Sequence, residues 1–167
     1  MSALASLNVL LVDDSPHMRA IVAAVLRGAG IKEPVEVNDG AEALTALRSH
    51  AIDMAIVDFN MFPLDGVAFT RLVRNSPDSP CPYLPIIMMT GHAERHRVEE
   101  ARDAGVTEFI VKPITARAIL ARIQSVIYKP RAFVRCDSYF GPCRRRVDDP
   151  RYTGPERRVH GGARGDF

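Results

Sequence analysis

The sequence predicts an α/β fold, a parallel sheet wound on both faces by helices, and three observations carry that prediction. Short apolar runs of three to six residues alternate five times with longer amphipathic runs. Runs that short suit strands and not helices. Their near-continuous apolarity fits strands buried on both sides, and parallel strands need crossovers of the kind the amphipathic runs supply.

The elements follow in order. Leu7–Val12 is the first strand. Ser15 then offers an N-cap and Pro16 stands at the first helical position, where its missing N–H costs nothing. Met18, Ile21, Val22, Val25 and Leu26 lie on one helical face, and Gly28 and Gly30 end the helix. Val35–Val37 is a second strand, closed by the Asn38-Asp39-Gly40 turn signal. Ala41–Ser49 is a short helix, and Met54–Val57 a third strand ending in Asp58. Val67–Arg74 is helical with Phe69, Leu72 and Val73 expected on its buried side. Ile86–Met89 is strand four, Glu94–Ala104 a helix stopped by Gly105, and Phe109–Val111 strand five. Thr115 caps a last helix that buries Ile119, Leu120, Ile123 and Ile127.

Composition sets the boundaries. The chain has 167 residues, 47% hydrophobic and 25% charged, enough apolar material for a core. No apolar run is long enough to span a bilayer, so no membrane insertion is expected. Met1–Leu7 lacks the basic start and apolar stretch of a signal peptide. Cys81, Cys136 and Cys143 are an odd count at no metal-ligand spacing, which points to a reducing cytoplasm. The net charge of +2 is a cancellation. Residues 1–128 hold 12 Lys and Arg against 15 Asp and Glu, whereas residues 129–167 hold 10 against 5. Periodicity stops at the same place. The expected organisation is a folded acidic domain over 1–128 and a basic tail over 129–167.

In sheets of this class the ligand crevice lies outside the carboxyl ends of the strands. Strand one ends in Asp13-Asp14, strand three in Asp58, strand four in Thr90-Gly91 and strand five in Lys112-Pro113. Three carboxylates, a hydroxyl and an ammonium are thereby predicted to converge on one edge. Carboxylates packed together raise one another's pKa unless something positive sits among them. A hard divalent cation suits such oxygens, and Mg²⁺ in particular is held by a couple of carboxylates together with phosphate and water. Lys112 and Thr90 could hold an anion against the metal. The arrangement suits a phosphoryl group, with an Asp as nucleophile.

Five separated segments carry a resemblance: VLLVDDS (9–15), IVDFNMFPLDG (56–66), MMTG (88–91), AGVTEF (104–109) and VKP (111–113). In identity and order they resemble the CheY-like receiver domain of bacterial two-component response regulators, over roughly residues 7–128. The resemblance implies a flavodoxin-like (βα)5 fold with strand order 2-1-3-4-5. It implies that Asp58 accepts phosphate from a histidine kinase or phosphotransfer protein, and that Asp13 and Asp14, with Asp58 and the Asn60 backbone carbonyl, hold Mg²⁺. Thr90 and Phe109 resemble the switch pair, Lys112 the phosphoryl-binding lysine, and Lys112-Pro113 the expected cis peptide. Asn60 and His92, two residues after the acceptor and the threonine, stand where the family tunes the lifetime of the phosphoryl group. A haloacid-dehalogenase-type phosphatase also uses Asp and Mg²⁺, but its second acid is replaced here by Asn60.

The implied function is a signalling switch, not a turnover enzyme. Its output would be a protein contact on the helix 4–strand 5–helix 5 face, which carries Arg95, His96, Arg102, Phe109, Arg117 and Arg122. The oligomeric state is left open, a dimer formed on phosphorylation included. A phosphate shuttle or sink in a phosphorelay is the alternative, and it needs no partner selective for the phosphorylated form. The tail repeats itself, with Tyr139-Phe-Gly-Pro-Cys-Arg-Arg echoed at Tyr152-Thr-Gly-Pro-Glu-Arg-Arg. It is too poor in apolar residues for a core of its own. Three roles are open to it: to lie along a surface with tyrosines anchoring and arginines pairing to carboxylates, to remain a solvated tail, or, least expected, to bind nucleic acid.

Overall fold

The computed structural model describes residues 3–91, 95–144 and 164–165. Five parallel strands, β1 (Val9–Val12), β2 (Val35–Val37), β3 (Met54–Asp58), β4 (Ile86–Thr90) and β5 (Glu108–Val111), lie in the order β2-β1-β3-β4-β5. Strand alternation sorts the core into two layers. Leu10, Val12, Ala55, Val57, Ile86 and Met88 face α2 (Gly40–Ser49), α3 (Gly66–Asn75) and α4 (Arg95–Ala104). Val9, Leu11, Met54, Ile56, Ile87 and Met89 face α1 (Pro16–Gly28) and α5 (Ala116–Tyr128). Both faces are covered, as near-continuous apolar strands require.

The helix starts follow the expected chemistry. Ser15, Asp39, Asp65 and Thr115 cap α1, α2, α3 and α5, each accepting from backbone N–H groups of the first turn. One expectation fails on α3. Leu72 is 40% exposed, and the buried face comprises Phe69, Thr70, Val73 and Arg74. Phe69 and Val73, one turn apart, define the face toward the sheet, and Leu72 falls on its solvent flank.

The chain also forms strands that its composition did not foretell after Tyr128. β6 (Phe133–Cys136) and β7 (Tyr139–Pro142) make an antiparallel hairpin, and β8 (Arg164–Gly165) pairs with β6. The hairpin has no core of its own; β7 lies against α3 and α4. Tyr83, from the proline-rich loop before β4, meets Phe133 and Phe140 with ring centroids 5.1 and 5.3 Å apart. Beneath them Arg74 is only 2% exposed. Its Nε donates to the Gly105 carbonyl at 3.1 Å and its Nη1 to the Pro82 carbonyl at 2.8 Å, and its guanidinium lies 4.9 Å from the Phe133 ring centroid. Burial lowers its pKa to about 10, which still leaves it charged at neutral pH.

The first copy of the repeated tail motif builds this contact. The Tyr139 hydroxyl donates to the Pro142 carbonyl at 2.7 Å, and the Arg144 guanidinium lies 4.4 Å from the Tyr139 ring centroid while pairing with Asp103 at 2.9 Å. A Cβ at Gly141 would stand 2.9 Å from the Gly105 Cα, and Gly105 itself has φ +107°. Two glycines therefore let the backbones touch. For residues 133–144 the envisaged arginine–carboxylate pairing is present at Arg144–Asp103, but Phe133 and Phe140, not the tyrosine, make the ring contacts with the receiver, and Tyr139 bonds within the hairpin. The second copy, Tyr152 to Arg158, lies outside the described residues.

Phe140 is 6% exposed beneath this cluster. Phe140→Ala is expected to cost about 3 kcal/mol and to lower the thermal midpoint by roughly 6–12 °C. A midpoint equal to that of the unaltered chain would mean that the hairpin adds nothing to the stability of the fold.

Candidate functional site

The reversal of strand order beside β1 leaves a crevice at the carboxyl edge of β1, β3 and β4. Asp13 and Asp14 follow β1, and Asp58 is the last residue of β3. One carboxylate oxygen from each of the three lies within 4.8 Å of the others. Asp13 and Asp58 are buried and Asp14 is exposed. Lys112 reaches back from the end of β5, its Nζ 2.8 Å from Asp58 Oδ1. The Lys112-Pro113 peptide is cis, as is Phe62-Pro63.

Backbone packing holds these groups still. Phe59 N–H donates to the Met89 carbonyl at 2.9 Å, and Lys112 N–H to the Thr90 carbonyl at 2.7 Å. Gly66 packs against the end of β3 so closely that a Cβ there would collide with the Asp58 carbonyl oxygen. Arg19, on α1, donates from Nη1 to the Asp13 carbonyl at 2.6 Å and pairs with Glu36 at 3.3 Å. Sequence patterning did not single out the Gly66 or the Arg19 contact, although their partners Asp58 and Asp13 lie nearby along the chain, because periodicity marks faces and not the approach of one segment to another.

The carboxylates are electrostatically costly. Burial, the largest cause, raises the pKa of Asp58, and Lys112 opposes the rise. Burial likewise raises Asp13, the Ser15 N–H at 2.8 Å from Oδ1 opposes it, and the Asp58 charge adds to it. Asp13 Oδ2 is buried and has no hydrogen-bond partner among the described residues. An orphaned buried carboxylate oxygen carries a desolvation penalty that a bound cation would relieve. The donor set fits a hard divalent ion: all oxygens, two of the three carboxylates buried.

The remaining expected residues are spread around this centre. Thr90 is buried at the end of β4, its hydroxyl donating to the Gly91 carbonyl at 2.8 Å. Phe109 is half-buried on β5 against the α2–α3–α4 layer. Asn60 is exposed, and its Oδ1 accepts from Arg97 at 3.0 Å, a contact not foreseen from sequence. His92 lies outside the described residues, and so does the side chain of Arg95. His96, Arg102 and Arg117 are exposed, and Arg122 pairs with Glu108 at 3.8 Å.

A carboxyl group whose pKa is raised by folding binds protons more tightly in the folded chain than in the unfolded one. Stability then falls as pH rises through the window between the ordinary and the raised value. Asp13→Asn keeps an acceptor for the Ser15 N–H and removes the buried charge. It is therefore expected to raise the thermal midpoint at pH 7, by an increment that shrinks as pH falls below the raised Asp13 value. Equal midpoints at pH 7 would show that Asp13 carries no such cost.

Known proteins share this fold. The family description "Response regulator receiver domain" matches residues 9–124. The chemotaxis protein CheY of Pseudomonas aeruginosa is 36% identical over 120 residues, 72% of this chain and 95% of that protein. The solved structure of the Vibrio cholerae chemotaxis protein CheY4 superposes with a TM-score of 0.66 at 33% identity, covering 72% of this chain and 98% of that one. The receiver domain of a Pseudomonas aeruginosa sensor histidine kinase, solved with a magnesium ion coordinated in its active site cleft, superposes with a TM-score of 0.63 at 27% identity. It covers 71% of this chain and 94% of its own. With most of its length matched by the family and by CheY relatives, the chain belongs to the response regulator receiver family.

Proposed function

We propose that Asp58 is the phosphoacceptor of this receiver, taking a phosphoryl group from a histidine kinase or phosphotransfer protein in a Mg²⁺-dependent reaction. The observation that carries this reading is the 2.8 Å ion pair between Lys112 and Asp58 inside a cluster of three carboxylates. Asp58 is buried yet lies beside a cation that favours its charged, nucleophilic form.

Lys112 holds Asp58 Oδ1, and the other carboxylate oxygen attacks phosphorus. The new P–O bond forms as the bond between phosphorus and the donor's leaving group breaks. Lys112 then serves the phosphoryl oxygens, and the Thr90 hydroxyl, now spent on the Gly91 carbonyl, turns toward them. That turn vacates space for Phe109 to move inward from its half-buried position, carrying the change to the α4–β5–α5 face. Asp13, Asp14 and Asp58, with the Asn60 backbone carbonyl, would hold Mg²⁺. Once bound, the ion neutralises charge on the carboxylates and on the transferring group.

The product is a labile mixed anhydride, so the chain is read as a self-resetting switch, with Asn60 and His92 setting the rate of loss. Its output is read as a protein contact made on phosphorylation. No helix among the described residues is long and apolar enough to cross a membrane. Action in the cytoplasm beside a kinase is the setting this reading implies.

Incubation with acetyl phosphate and Mg²⁺ is expected to add the mass of one phosphoryl group to the full-length chain. The addition should disappear on removal of Mg²⁺ with a chelator and in Asp58→Asn. An unlabelled wild-type chain, or equal labelling of Asp58→Asn, would overturn the proposal.

A further inference from the structure

The first turn of α4 breaks a rule of helix electrostatics. Arg95, His96 and Arg97 open the helix and no acidic residue lies in that turn. The positive end of the helix dipole favours carboxylates there and disfavours cations. A local choice that costs stability points to a contact made elsewhere.

Arg97 makes two such contacts, both with the acceptor loop. Its Nη2 donates to Asn60 Oδ1 at 3.0 Å, and its guanidinium lies 4.5 Å from the centroid of the Phe59 ring. Phe59 and Asn60 are the two residues that follow Asp58. Phe59 is 5% exposed and tied through its N–H to Met89, so it is a fixed wall; Asn60 is exposed and has no such anchor in its own side chain's packing. A planar guanidinium can stack on a ring with its face and donate with its edge at the same time, which a lysine ammonium cannot do. Arg97 thus holds the exposed Asn60 carboxamide, two residues after Asp58, by its Oδ1.

We propose that Arg97 is a positioning residue for Asn60: by pinning the Asn60 side chain against Phe59 it limits the approach of water to the acyl phosphate on Asp58. The inference rests on the phosphoacceptor reading of Asp58. Hydrolysis breaks the P–O bond to Asp58, with water adding to phosphorus and the carboxylate leaving. A fixed amide beside that path slows the step, and a swinging one does not.

The test follows the decay of label on the full-length chain after acetyl phosphate is removed. Arg97→Ala is expected to shorten the phosphoryl half-life about fivefold, a little over 0.9 kcal/mol of barrier. Arg97→Lys should recover little of it, because it keeps the charge and loses the simultaneous stack and bond. Arg97→Ala combined with Asn60→Ala should decay like Asn60→Ala alone, since both remove one interaction. A half-life for Arg97→Ala within twofold of wild type overturns the inference, as do additive effects in the double variant. A lowered thermal midpoint with unchanged decay marks a purely structural contact and overturns it too. A wild-type chain that takes no label fails the phosphoacceptor reading and this inference with it; label with unchanged decay fails this inference alone.

Discussion

The ion pair between Lys112 and Asp58 is the interaction on which the rest of the site depends. Three carboxylates share one sheet edge, two of them buried, and repulsion and desolvation both push protons onto them. Without a cation at 2.8 Å, Asp58 would tend toward a neutral acid, a poor nucleophile. The fold is arranged to keep that pair in place. β3 delivers Asp58, β5 delivers Lys112, and β4 between them bonds to both segments through the Met89 and Thr90 carbonyls. Gly66 lets α3 pack directly on the Asp58 backbone.

The same geometry leaves one demand unmet inside the chain. Asp13 Oδ2 is a buried acceptor with no donor among the described residues. Native interiors rarely tolerate this, and where they do the site commonly awaits a ligand. A divalent cation held by these carboxylates would relieve the desolvation of that oxygen.

Helix α4 is held from both ends. At its first turn Arg97 grips the acceptor loop, and at its last turn Asp103 pairs with Arg144 of the segment that follows the β6–β7 hairpin. Beyond the last turn, Gly105 meets Gly141 and accepts from buried Arg74. Residues after the receiver proper therefore brace the helix that borders the proposed output face, and they do so on the side remote from the carboxylates.

Much of this was legible in the sequence because its causes are local. Apolar runs marked the strands, Ser15 and Thr115 marked helix starts, and the residues that end strands 1, 3, 4 and 5 marked the crevice. Most of what escaped depends on partners far along the chain. Arg74 reads as a solvent residue at the end of an amphipathic helix; it is buried because Gly105, 31 positions later, supplies a carbonyl. The hairpin reads as tail because its own apolar content is small; it folds because Tyr83 and the α3–α4 surface complete its core. Leu72 reads as core by type, and Phe69 and Val73 displaced it by geometry. Arg97 left a trace, a basic first turn, but nothing in the sequence said that its target was Asn60.

Of the three clustered carboxylates Asp58 is the one paired with Lys112, and the proposed reading has Asp58 alone react. The most direct measurement traps the acyl phosphate with borohydride, which reduces a phosphorylated aspartate to homoserine, and locates that residue by peptide sequencing. The account predicts homoserine at position 58 and unchanged aspartate at 13 and 14. Homoserine at position 13 or 14, or at a site outside the cluster, would contradict it.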